Sequence, residues 1–360
     1  MAIENFIRNI SDKFEEHYDV KIQPLLCENF DDAYTKTRKQ EEYNAKIRDS
    51  EFCFFIFFTK AGEYTREEFE VARKKFEETG KPKIYTYFKV IKDGEAEQSL
   101  YDFMNELDKT FGHYYGTFDH VDTVKLRILL SLKLQEMDFL EIKTDGGKCI
   151  VDGRPVLSLD KVSEFANNEI FKGLKDELSE VEKEYFELKS KYVEDDCDEA
   201  TCRKYYETAS RRQTLIDTIE ELQKNIFNMT FRMCKDEIHG EITQRQKEAY
   251  RLFEAGDLEG ANRILDFSKK KSEYMRRKAL RAQEQKKDAR IFIRETITKI
   301  DILKTMKKIS GRFEEIEQLY DEVIGESMEN MVELDAVYDF ACFLEDQSKH
   351  KNINMQSIMI

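Results

Sequence analysis

The carboxylate of Glu68 is the group in this sequence that is best placed to do chemistry. Glu68 stands near the start of a predicted helix that follows an apolar run at residues 52–58. Ligands of parallel sheets bind beyond the carboxyl ends of the strands, so residues 59–68 would lie where a reaction takes place. Thr65-x-x-Glu68 is also the pattern of a capping box, in which the glutamate bonds to the backbone of its own helix. The residues alone leave both interpretations open.

The elements around Glu68 are predicted to be a strand, a helix and a second strand. Residues 52–58 form a continuous apolar run, which is typical of a strand buried on both faces. Apolar residues then recur at the spacing of one helical face until Gly80 ends the helix, and a second strand follows at residues 83–88. Such a βαβ unit requires a parallel sheet, so the sequence predicts an α/β domain.

Further elements extend this pattern over residues 1–138. Helices are predicted at residues 1–14, 33–48, 100–107 and 121–137, and short strands at residues 20–26 and 114–118. The chain opens with a helix where a doubly wound sheet opens with a strand, so we expect it to begin inside the domain. In residues 139–168, Asp145-Gly146-Gly147 and Asp152-Gly153 are turn signals that predict a β-hairpin connector.

The rest of the chain is predicted to be helical. The spacing of apolar residues in the charged segment 169–240 indicates two long antiparallel helices with a loop near residues 194–199. Residues 241–360 show shorter helix pairs, with tight turns expected within residues 249–261, 309–316 and 340–350. The last pair is cut short, so we expect this helical array to be incomplete at its C-terminus.

The composition of the chain indicates which kinds of partner it can bind and in which cellular compartment it is found. Lys and Arg number 59 against 74 Asp and Glu, a net charge of −15, which disfavours a nucleic-acid partner. No window approaches the roughly 18 apolar residues of a membrane span. The seven cysteines show no paired framework, which favours a reducing compartment. The sequence therefore predicts a cytoplasmic protein that does not bind a membrane.

The segment from residue 50 to residue 88 resembles the core of a Toll/interleukin-1-receptor-like (TIR-like) domain. The resemblance rests on the apolar run that follows Ser50, on Tyr64-Thr-x-x-Glu68-Phe-x-x-Ala72 and on Gly80-Lys-Pro-Lys-Ile84. The short helix pairs after residue 240 resemble tetratricopeptide repeats. Bacterial TIR-like domains are found at the head of defence proteins, and such a head followed by repeats is a familiar arrangement.

This resemblance implies a flavodoxin-like parallel sheet followed by an all-α, tetratricopeptide-like region. It also implies hydrolysis of NAD or a related nucleotide at the N-glycosidic bond, with Glu68 at the position of the family's catalytic glutamate. The reaction passes through an oxocarbenium-like transition state that one carboxylate can stabilise. NAD would be the substrate, and no cofactor is expected. A protein partner, or self-association through the helical repeats, would regulate the activity, as in antiphage defence.

Four side chains near the predicted catalytic position are candidates for binding the nucleotide. Tyr64 and Phe58 flank the loop and can stack on a nicotinamide or adenine ring, although core packing is the simpler role for Phe58. Thr65 opens the helix, whose N-terminus is also an anion site. Tyr43, together with Gln40, lies on the preceding helix and can reach a phosphate.

A metal site is not expected. Asp119-His120-x-Asp122 has the residue types of a metal site, but Asp119 as the N-cap of the following helix explains the pattern more simply.

Two other functions remain open. The protein could be a non-catalytic scaffold for protein interactions, in which Glu68 only caps its helix. It could also be a nucleoside deoxyribosyltransferase-like enzyme, in which a glutamate at a similar place is a nucleophile. Binding of NAD would argue against the scaffold, and a trapped covalent sugar adduct would identify the transferase.

Overall fold

A computed structural model of the protein describes residues 2–25, 39–91, 95–111, 113, 115–135, 137, 140–193, 198–239, 242–280, 285–306 and 312–345. The chain divides into two compact units, Met1–Ala166 and Asn167–Ile360. The N-terminal unit combines strands with helices, and the C-terminal unit is helical where it is described. The coarse fold class is therefore as predicted, a small parallel sheet with helices followed by an all-α region.

The N-terminal unit has six helices and six strands within its described residues. The helices are α1 (Ala2–Tyr18), α2 (Lys39–Asp49), α3 (Glu63–Thr79), α4 (Gln98–Glu106), α5 (Val121–Gln135) and α6 (Ser163–Ala166), and a π-helical turn, Leu107–Phe111, follows α4. The strands are β1 (Phe52–Phe57), β2 (Lys83–Lys89), β3 (Gly116–Phe118), β4 (Ile142–Asp145), β5 (Lys148–Val151) and β6 (Arg154–Ser158).

Strands β1, β2 and β3 form the predicted parallel sheet, in that order. Phe55 pairs with Thr86 and Phe88 pairs with Thr117 across the two ladders. The prediction that the first strand is buried on both faces is wrong, because β1 alternates between half-buried and buried side chains. The central strand β2 has the longer buried run. This difference arises because β2 has a neighbour on each side, whereas β1 pairs with β2 alone among the described strands.

The core between the sheet and α3 is built from aromatic rings. Phe57 of β1 stacks on Phe88 of β2, with ring centroids 4.9 Å apart. Phe69 of α3 meets Phe55 edge-on at 5.5 Å and Phe103 of α4 at 5.3 Å. Edge-to-face and offset contacts of this kind add stability beyond the area they bury. They fix α3 on the sheet and so determine the direction in which its other side chains point.

Residues 142–158 form a three-stranded antiparallel sheet, which is more than the single hairpin predicted for this segment. Asp145 pairs with Lys148 and Val151 pairs with Arg154, so each connection has two residues. All four connecting residues have positive φ, as a type I′ turn requires. Both sequence turn signals are therefore confirmed, and each of them joins two strands.

The strand predicted at residues 20–26 is not formed in its described part, residues 20–25. The Ser11 hydroxyl of α1 donates to the Ile22 carbonyl and accepts from the Ile22 N–H, both at 2.9 Å. A side chain thus satisfies the backbone groups that a strand would have paired in a ladder. The predicted helix at residues 33–48 appears as α2, and residues 33–38 lie outside the described part of the chain.

The C-terminal unit contains long helices followed by shorter ones. Its helices are α7 (Glu169–Val193), α8 (Glu199–His239), α9 (Gln244–Glu254), α10 (Leu258–Ile264), α11 (Phe267–Leu280), α12 (Gln285–Lys304) and α13 (Phe313–Asn330), and residues 335–345 are also helical. Helices α7 and α8 are antiparallel, since Glu177 bonds to Arg211 and Glu184 pairs with Lys204. No helix in the described ranges has both the length and the apolar character needed to cross a membrane.

The helix pair predicted around residues 249–261 is formed by α9 and α10. Gly256 lies in the turn with φ of +83°, and Ala261 is fully buried on α10. The second predicted turn falls between α12 and α13, where residues 307–311 lie outside the described ranges. Of the third, residues 340–345 are helical and residues 346–350 are not described.

Candidate active site

Glu68 lies on the side of α3 that faces α2, and its residue is only 9% exposed. Its Oε1 accepts a hydrogen bond of 3.1 Å from the Gln40 side-chain amide. Gln40 itself is buried, so the contact joins two helices across their interface. The carboxylate predicted to be catalytic is therefore held in one orientation by a residue 28 positions earlier in the chain.

A second carboxylate and a second amide repeat this contact next to the first. The Asn44 side-chain amide donates to Glu67 Oε1 at 3.0 Å, and Gln40 Nε2 lies 3.5 Å from Asn44 Oδ1. Gln40 and Asn44 are four residues apart and share one face of α2, because four residues make about one helical turn. Two neighbouring carboxylates of α3 are thus bound by two amides of α2.

The capping-box interpretation of Glu68 is wrong. Helix α3 begins at Glu63, its N-cap is Gly62 in an extended conformation, and no side-chain cap bond is formed there. The Arg66 N–H bonds to the Gly62 carbonyl at 3.0 Å, which places Thr65 inside the first turn. Glu68 is more than a turn further along and points to α2 instead of back to the N-terminus.

The loop between β1 and α3 is fixed at both ends. The Glu97 N–H donates to the Thr59 carbonyl at 2.8 Å, and the Ala61 N–H donates to the Ser99 hydroxyl at 3.4 Å. On α3, Arg66 forms an ion pair with Glu106 and lies over the ring of Phe103. These contacts hold the first turn of α3 against α4, so Glu68 projects from an anchored helix.

The other predicted site residues are distributed around this helix. Tyr64 is exposed in the first turn of α3, Thr65 is half-buried there, and Tyr43 is half-buried on α2. Phe58 is exposed directly after β1, and its ring meets the edge of Phe118 with centroids 5.8 Å apart. The core role considered for Phe58 is therefore wrong. The nucleotide-binding roles of these four residues stay predictions.

Sequence reasoning missed the contacts of Gln40 and Asn44. The Gln40 amide bonds to Glu68 and the Asn44 amide bonds to Glu67, whereas the sequence indicates only that Gln40 can reach a phosphate. The available signal was a pair of neutral amides one turn apart on a helix that is otherwise mostly charged.

The Asp119-His120-x-Asp122 segment forms local contacts. The Asp122 N–H donates to His120 Nδ1 at 3.2 Å, and the Asp122 carboxylate lies 2.8 Å from Lys125 Nζ. Helix α5 begins at Val121, so the residue directly before it is His120 and not Asp119. Within the described ranges, no group of three or more His, Cys, Asp or Glu side chains is arranged to hold a metal ion.

Comparisons of the chain with models of protein families, with curated proteins and with solved structures gave no match.

Proposed function

We propose that the N-terminal unit is a TIR-like domain that hydrolyses NAD, or a related nucleotide, at the bond between nicotinamide and ribose. The observation that carries this proposal is the buried Glu68 carboxylate, bonded to Gln40, on the helix that follows strand β1. A carboxylate that is oriented before the substrate arrives stabilises developing positive charge without having to reorganise. The parallel order β1-β2-β3, with α3 between the first two strands, is consistent with a flavodoxin-like sheet.

The chemistry requires one carboxylate and one water molecule. The bond between ribose C1′ and the nicotinamide nitrogen breaks, and its electron pair leaves with nicotinamide, which becomes neutral. Glu68 stabilises the oxocarbenium-like sugar, water adds to C1′, and one proton is released. Because nicotinamide leaves as a neutral molecule, no second acid is needed. Tyr64, Phe58, Thr65 and Tyr43 would contribute to nucleotide binding.

The helical unit would regulate this reaction through a protein partner or through self-association. Its α9–α10 pair, with Gly256 in the turn and Ala261 buried between the helices, supports the proposed likeness to a tetratricopeptide repeat. A protein with a catalytic N-terminal unit and a regulatory helical unit would fit a role in bacterial defence.

The test compares two neighbouring carboxylates that contact the same helix. Concentrated protein is incubated with NAD, and nicotinamide release is followed for the wild type, Glu68→Gln and Glu67→Gln. We expect Glu68→Gln to lower the rate by about 10²–10³-fold, as loss of a charge-stabilising group does. The matched control Glu67→Gln keeps a hydrogen-bond acceptor for Asn44 and should react at close to the wild-type rate. Equal rates for Glu68→Gln and the wild type would remove Glu68 from the mechanism.

A non-catalytic scaffold is the second candidate. The observation that favours it is the same contact, because a hydrogen bond between Gln40 and Glu68 also ties α2 to α3. A scaffold predicts no rise in melting temperature with NAD or ADP-ribose, whereas a nucleotide site predicts a rise that grows with ligand concentration.

A further inference from the structure

The hydrogen bond between Gln40 and Glu68 joins two side chains whose backbones are already fixed by the sheet. Phe69, the residue after Glu68, packs edge-on against Phe55 of β1. Helix α2, which carries Gln40, is separated from β1 by only two residues, and its Ile47 packs against the same core. The backbone therefore determines where Glu68 starts, and the direction of its side chain depends on what that side chain contacts.

The Gln40 amide selects one direction for the Glu68 carboxylate. Glutamate is among the side chains that lose the most rotamer freedom when they are ordered, so a contact at its far end has a large effect on where the carboxylate lies. The amide donates to Glu68 Oε1 at 3.1 Å, and both residues are buried. Its contact with Asn44 Oδ1 is 3.5 Å long, at the limit of a hydrogen bond. The carboxylate is thus the main acceptor for this amide.

The donor is a neutral amide, which suits a carboxylate that has to stabilise positive charge. A lysine or arginine in place of Gln40 would also direct the carboxylate. Its positive charge would, however, oppose the attraction between Glu68 and an oxocarbenium-like sugar. An amide fixes the direction of the carboxylate without adding a charge, so the electrostatic effect of Glu68 on the sugar is retained.

We propose that Gln40 is a positioning residue for the reaction, which acts by holding the Glu68 carboxylate in the direction that stabilises the sugar. This inference rests on the proposed function, because Gln40 has this role only if Glu68 is catalytic. Displacing a reacting group by about 1 Å can slow a reaction about a hundredfold. Without the bond from Gln40, Glu68 would spend part of its time in unproductive directions. The rate of the chemical step would fall, and binding of NAD through other contacts would not.

A double-mutant cycle on nicotinamide release tests this role. The values of kcat and KM for NAD are measured for the wild type, Gln40→Leu, Glu68→Gln and Gln40→Leu/Glu68→Gln. Leucine is close to glutamine in size and helix propensity but has no donor. We expect Gln40→Leu to lower kcat about 10–100-fold and to change KM by less than about twofold. In the Glu68→Gln background the same substitution should change kcat by less than about threefold, because the group that Gln40 positions is already replaced.

Asn44→Leu is the matched control. Asn44 is buried on the same face of α2, one turn from Gln40, and it donates to Glu67 instead of Glu68. Both substitutions remove a buried amide from the interface between α2 and α3, so both should lower the melting temperature. The control should keep kcat within about threefold of the wild-type value, since the bond from Gln40 to Glu68 remains.

Three results would overturn the positioning role while Glu68→Gln remains slow, so that the proposed function still stands. They are a Gln40→Leu variant with the wild-type kcat, an Asn44→Leu variant that loses as much activity as Gln40→Leu, and a loss by the same factor with and without Glu68. The last result would mean that Gln40 acts independently of the carboxylate. If Glu68→Gln reacts as fast as the wild type, or if the wild type releases no nicotinamide, the proposed function fails and the positioning role fails with it.

Discussion

The buried ion pair between Arg127 and Glu164 gives the most quantitative stability prediction for this protein. Arg127 lies on α5 and Glu164 on the short helix α6, and each residue is only 1% exposed. Beside the pair, the Ser163 N–H donates to the Thr123 hydroxyl at 2.8 Å. These contacts attach the segment that follows the antiparallel sheet to α5. Replacing either charge should therefore destabilise the N-terminal unit.

The expected loss of stability depends on which charged group remains buried after each substitution. Glu164→Gln keeps an acceptor for Arg127 but removes the negative charge beside the buried guanidinium, at a cost of about 3 kcal/mol. Arg127→Met leaves a buried carboxylate instead, at a cost of about 3–5 kcal/mol near neutral pH. Arg127→Met/Glu164→Met removes both charges, so we expect it to be less destabilised than either single variant.

Urea unfolding followed by circular dichroism measures these differences, and hydrogen exchange of peptides from α5 and β4–β6 assigns them to the N-terminal unit. This localisation is needed because two compact units need not unfold in a single transition. A double variant whose loss equals the sum of the two single losses would refute the reasoning, and so would a Glu164→Gln variant as stable as the wild type.

Two further predictions concern the helical unit. Burial lowers the pKa of Lys270 to about 8 although Glu295 lies 3.4 Å away. Between about pH 8 and 10, Lys270 therefore binds a proton in the unfolded chain more often than in the folded protein. The free energy of unfolding consequently rises with pH in this range. In Lys270→Met, the free energy of unfolding measured by urea titration should not rise over this pH range. A rise equal to that of the wild type would contradict the assignment of the effect to Lys270. Gly256→Ala should lower the free energy of unfolding by at least about 2 kcal/mol. The added Cβ would lie 2.0 Å from the Asn167 carbonyl oxygen, and residue 256 has a φ of +83°. The control Gly325→Ala, on α13 with open space around it, should instead gain about 0.4–1 kcal/mol.

Periodicity and turn chemistry predicted the local elements around the candidate site. The apolar run at residues 52–58, the helical spacing after residue 65 and Gly80 correspond to β1, to α3 and to the left-handed C-cap of that helix, which begins two residues earlier than predicted, at Glu63. Both Asp-Gly signals fell on two-residue turns with positive φ. These signals are reliable because they act within a few residues, where the backbone conformation is decided by the residues themselves.

The errors arose where a distant residue decides the outcome. The capping box pairs Glu68 with its own helix, but Gln40 of another helix bonds to the carboxylate instead. The strand expected at residues 20–26 is replaced in its described part by backbone bonds to the Ser11 side chain. A local sequence pattern does not show whether a group will bond within its own element or to a distant residue. The approach of the distant residue depends on how the elements pack.

Polar contacts between distant residues also explain why one packing arrangement is chosen among several. The apolar side chains of α3 and α5 can be buried in many arrangements at similar free energy, because hydrophobic contact has no direction. The bonds from Gln40 to Glu68 and from Arg127 to Glu164 are directional, and a shifted packing would leave their buried groups unpaired. Such contacts add little to the net free energy of unfolding. They make shifted packing arrangements much less stable, because those arrangements leave buried polar groups unpaired. The hydrogen bond that orients the candidate catalytic carboxylate is thus also part of what selects the fold around it.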